Sequence, residues 1–178
     1  TGAGINRERA HVHFEVALLL SRNFEGWYRD RFPTQPNRHG LFNGMNLAGL
    51  NPEEILLGSQ KNPAFSLSAY IRGQEPVFKL RVPNSPDLTI LQDYPWLVVG
   101  GPTEPPPAWT ISFSKYGTPI AAEPYRLPVS QPDLAWVRPS DVAYSHVTRG
   151  IVGGSATNPS LTSSGERFVR LLLWPAER

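Results

Sequence analysis

Near the start of the chain two histidines and a glutamate stand two residues apart, in the run His11-Val12-His13-Phe14-Glu15-Val16. In an extended strand, side chains at i, i+2 and i+4 share one face. Such a strand turns His11, His13 and Glu15 one way and Val12, Phe14, Val16 and Leu18 the other, so Phe14 is expected in the core. The Cα atoms of His11 and His13 are then roughly 6.5 to 7 Å apart. At that spacing one imidazole can bind a metal ion while its neighbour faces a substrate or a metal-held water. Zinc takes nitrogen and oxygen ligands tetrahedrally, and a catalytic site leaves one position open for water. The ion lowers that water's pKa and polarises a carbonyl, while a nearby histidine moves a proton or steadies the developing oxyanion.

A His-x-His pair alone is also common on ordinary surfaces. Here it continues as Phe14-Glu15-Val16 and follows the Gly-containing stretch Thr1-Gly2-Ala3-Gly4. This combination resembles the signature that closes the core of lysostaphin/LytM-type zinc metallopeptidases, over roughly residues 1 to 20. The resemblance implies that His13 is a zinc ligand and that His11 is the catalytic histidine beside the metal. The family's other ligands, a histidine and an aspartate of a His-x-x-x-Asp-type motif, are expected upstream of Thr1. The chain is therefore expected to be a fragment, inactive by itself. Asn6-Arg7-Glu8-Arg9 lengthens the usual approach to the motif, and Asn51-Pro52 followed by Leu56-Leu57 is a weaker echo of the family's closing segment. The implied substrate is a peptide cross-link, most plausibly in peptidoglycan, with an extracytoplasmic location (periplasmic or cell-wall associated). His39 and His146 are expected as exposed or hydrogen-bonded loop residues, and Asp30, Asp93 and Asp141 have no ligand-like spacing.

The elements that would hold such a site are legible in part. A strand is expected from His11 to Leu20 and an aromatic, loop-rich stretch over residues 21 to 48, with Phe24, Trp27, Tyr28 and Phe32 as packing residues. Asn43-Gly44-Met45-Asn46 is ordinary turn chemistry that can also border a cleft. Asn51 is a natural N-cap for a helix with Pro52 in its first position, Glu53 and Glu54 at its positive end and Gly58 at its stop. A second short helix is expected over Leu67 to Arg72, between Ser66 and Gly73. Val77 to Val82 and Trp109 to Ser114 alternate as strands, the latter closed by the Lys115-Tyr116-Gly117-Thr118 turn. Gly100 to Pro107 must be a loop. Ser163 with Glu166 gives a capping-box pattern for a terminal helix carrying Phe168, Leu171 and Leu172.

The fold class expected from this pattern is β-rich α+β. The end of an antiparallel peptidase core is expected in residues 1 to 60, and a β-rich extension with a C-terminal helix in residues 61 to 178. Hydrophobic residues at 40% and charged residues at 18% fit a globular chain rather than a disordered one. The net charge of +2 is spread without a basic block, so nucleic acid is not an expected partner. Apolar runs such as Val16 to Leu20 are too short to cross a bilayer. With no cysteine, thiolate catalysis and Cys-type zinc sites are excluded. The competing class is a non-catalytic interaction module, since His146 to Val152, a Gly/Ser loop and Leu161-Thr162-Ser163-Ser164-Gly165-Glu166-Arg167 are similar to the wing and final helix of winged-helix proteins.

Overall fold

The computed structural model describes residues 14–176, and the motif histidines His11 and His13 lie outside the described residues. Of the expected first strand, the described part contains β1 (Val16–Leu19), paired antiparallel with β2 (Leu47–Leu50). Phe14 precedes β1 and is 61% exposed, so it does not enter the core as the alternation suggested. Between the two strands, the expected loop contains a helix, α1 (Phe24–Arg31). Phe24, Trp27 and Tyr28 fall at i, i+3 and i+4, so the helix turns all three inward, where they are buried. Phe24 stacks on Trp27 at 5.6 Å and Tyr28 meets Phe32 at 5.0 Å, which bears out the packing role of this cluster.

Beyond β2, α2 (Pro52–Lys61) begins as its sequence demands, with the Asn51 side chain accepting from the backbone N–H groups of Glu53 and Glu54. It continues past Gly58, whose missing side chain admits the ring of Phe65. Next, α3 (Leu67–Arg72) is capped by Ser66. The Tyr70 hydroxyl donates to Glu54 at 2.7 Å, and burial together with this bond pushes its pKa up to about 12.

The centre of the molecule is a four-stranded antiparallel sheet of β3 (Phe78–Pro83), β4 (Ala108–Phe113), β5 (Pro119–Tyr125) and β6 (Asp133–Val137), in the order β5-β4-β3-β6. Phe78 pairs with Phe113, Leu80 with Ile111 and Val82 with Trp109, so one face is apolar throughout. On the other face Lys79 pairs with Glu123 at 3.3 Å and Arg81 with Asp133. Prolines 119 and 124 sit on the edge strand β5, where a missing ladder donor costs least. Thr89–Asp93 (α4) and the Gly100 to Pro107 loop lie between β3 and β4.

After β6 come α5 (Tyr144–Val147), the hairpin β7 (Val152–Ser155) and β8 (Asn158–Leu161), and α6 (Ser163–Leu172). The hairpin is followed directly by α6, and α5 before it is a single turn. The cap of α6 is Thr162, not Ser163: its hydroxyl accepts from the N–H groups of Ser164 and Gly165. The molecule is thus β-rich α+β, with antiparallel sheets and a C-terminal helix. One contiguous buried cluster, from Leu18 to Leu172, draws on residues from both sides of residue 60.

β1 leaves its sheet through a polar lock. Asn46 is fully buried; its Oδ1 accepts from Ser21 N–H at 3.0 Å, and its Nδ2 donates to the carbonyls of Ser21 and Leu41 at 2.9 and 3.0 Å. An alanine here strands these backbone groups away from water. Asn46→Ala is therefore expected to lower stability by about 2–3 kcal/mol in denaturant unfolding. A change below about 0.5 kcal/mol would show that the lock carries no weight.

Candidate functional site

Ala17 of β1 and Glu15 just before it face a groove. Glu15 and Ala17 line it, and so do Leu47 and Gly49 of β2. Ala17 stands directly opposite Gly49, and a Cβ added at Gly49 would meet nothing within 4 Å. Two small residues side by side thus leave the floor low. Asn51 and Pro52 also line this part of the groove, which has a volume of about 620 Å³.

A second hollow of about 330 Å³ continues from it, sharing Gly44, Leu47, Tyr116 and Arg149. Its walls are apolar at Trp27, Ile151 and Phe168, and its rim carries Ser164 and Arg167. Arg149 thus borders both hollows, with Glu15 lining the first and Arg167 the second. Its sides come from turns fixed by the core. Thr118, fully buried, donates from its hydroxyl to the Gly49 carbonyl at 3.0 Å, which ties the β4–β5 turn bearing Tyr116 to β2.

Arg149 is held with care. It is the one non-glycine residue at positive φ among the described residues, at +55°, a conformation costing about 1 kcal/mol or more for an L side chain. The buried Thr148 hydroxyl donates to the Tyr144 carbonyl at 2.7 Å and accepts from Val152 N–H at 3.0 Å, fixing the turn on both sides. The guanidinium of Arg149 then reaches the Tyr116 carbonyl at 2.9 Å. Arg167 projects from the first two turns of α6 and donates to the Ser164 hydroxyl at 2.7 Å. A Cβ added at Gly165 would fall 2.2 Å from the Ile151 carbonyl oxygen, so only glycine lets α6 sit this close to β7.

Of the residues singled out from sequence, Glu15 lines the groove, while His11 and His13 fall outside the described residues. His39 and His146 are both exposed, as expected, but His146 lies in α5 rather than in a loop. Asp30 pairs with Arg170 at 3.2 Å and Asp93 with Arg22 at 3.1 Å. Among the described residues, no group of three or more His, Asp or Glu side chains is placed to hold a metal ion, so these residues do not by themselves fit a zinc site. Gly44 and Met45 border the groove, as turn residues can. Tyr116, Arg149 and Arg167 escaped sequence reasoning, because nothing in their local spacing marks them as a set.

No family model, no characterised protein and no solved structure matches this chain. The groove must therefore be interpreted from its own chemistry.

The turn that presents Tyr116 depends on Gly117, at φ +74° and with the Ile151 side chain 3.3 Å from where its Cβ would stand. Gly117→Ala is expected to cost about 1–2 kcal/mol of stability in chemical denaturation, since alanine must adopt the left-handed region there. Unchanged stability would mean that the turn relaxes freely and does not fix Tyr116.

Proposed function

We propose that these residues are the carboxy-terminal part of a zinc-dependent endopeptidase of the lysostaphin/LytM type, acting outside the cytoplasm on the peptide cross-links of peptidoglycan. The observation that carries the reading is the groove on the Glu15 and Ala17 face of β1. Glu15, the acidic residue of the motif, lines this groove beside Ala17, so the signature ends at an open surface. Further support comes from the pairing of β1 with β2 and from Asn51-Pro52 immediately after it. In this reading His13 is a zinc ligand, His11 is the catalytic histidine, and the other ligands come from a His-x-x-x-Asp-type segment preceding Thr1. Residues 14–176 contribute the substrate groove. A second reading, a non-catalytic binding module, draws on the two arginines that line the second hollow.

The test uses the whole protein with its upstream sequence, assayed for hydrolysis of cross-linked peptidoglycan fragments and for bound zinc. His13→Ala is expected to lose both metal and activity. His11→Ala is expected to keep the metal and lose at least about 100-fold in rate. Full activity and zinc content in His13→Ala would reject the peptidase reading and leave the binding module.

A further inference from the structure

Among the described residues, several arginines pair with carboxylates: Arg22 with Asp93, Arg81 with Asp133, Arg138 with Glu75 and Arg170 with Asp30. Arg149 and Arg167 differ. Among the described residues each donates only to a neutral oxygen, the Tyr116 carbonyl and the Ser164 hydroxyl, and both line the same hollow. A guanidinium has five N–H donors in a planar fork that matches a carboxylate, and one neutral acceptor leaves most of that capacity unused. The position of Arg149 is also costly, at positive φ on a turn locked by a buried threonine. Backbone strain retained in this way concentrates at binding sites.

We propose that the hollow lined by Arg149 and Arg167 is a subsite for the free carboxyl terminus of a peptide, whose preceding residues lie along its apolar walls. Charge complementarity selects the carboxylate, and the walls select the peptide. Trp27, Ile151 and Phe168 suit side chains or backbone better than a polyphosphate. As a statement of which peptide is cleaved, the inference rests on the peptidase reading. As a statement of binding, it stands without it.

The experiment measures binding to the whole protein bearing His11→Ala, which removes turnover. The ligands are N-acetyl-pentaalanine as the free acid and as its carboxyl-terminal amide, followed by NMR titration. The free acid is expected to shift the amide signals of Gly44, Gly117 and Ser164 and to bind at least about tenfold more tightly than the amide. Arg167→Gln and Arg149→Asn, the latter tolerant of positive φ, are each expected to remove that preference. Equal affinity for acid and amide overturns the subsite, as does a preference that survives in both folded variants. So does no binding of the free acid up to about 10 mM, or equally effective competition by inorganic phosphate or duplex DNA. Cleavage assays on the native whole protein separate the two proposals. Turnover without carboxylate preference leaves the peptidase standing alone, and preference without turnover leaves the subsite standing alone.

Discussion

Phe78 and Phe113 face each other across the two central strands with ring centroids 5.0 Å apart and planes 6° from parallel. Both are fully buried, and Phe168 of α6 meets Phe113 edge-on at 5.5 Å. Removing each such ring from water stabilises the fold by about 2–3 kcal/mol, with aromatic pairing adding to it. The stack sets the distance between the sheet and the final helix. Phe168 is also a wall of the groove, and Arg167 is its neighbour in sequence. Helix α6 therefore cannot move off the sheet without taking the cationic rim with it.

From that stack outward, the groove is built by side chains that satisfy backbone groups in places water cannot reach. Asn46 holds the exit of β1, Thr118 joins β2 to the β4–β5 turn, and Thr148 fixes the turn before β7. Each serves groups that would be costly to leave unpaired. The result is that three segments far apart in sequence, at Ala17, Tyr116 and Arg149, keep fixed positions around one opening. This kind of support by buried polar residues suits a surface that must hold its shape without a ligand.

The regular elements were legible where residue type and period agreed. Phe78, Leu80 and Val82 against Lys79 and Arg81 specify a strand with one wet face, and Asn51-Pro52-Glu53-Glu54 specify a helix start. At α1 the signals conflicted. Gly26 and four charged residues within eight give weak helical preference, Asn23 makes no side-chain cap, and the turn signals that follow suggested a loop. Tertiary burial of Phe24, Trp27 and Tyr28 decided for helix. Phe14 failed for a related reason, since strand parity holds only where a strand exists and β1 begins two residues later. The arginine pair was invisible because Arg149 and Arg167 are ordinary surface residues until the β7–β8 hairpin turns the chain back between them.

The central claim is that the His11 and His13 motif is the zinc-bearing edge of this groove. It is tested most directly by anomalous diffraction at the zinc edge from crystals of the protein with its upstream sequence. The account expects a zinc peak about 2.0–2.1 Å from a ring nitrogen of His13, at the mouth of the groove on the side carrying Glu15 and Ala17. His13 turned into the core beside Val16 and Leu18, with no peak at its ring, would contradict it.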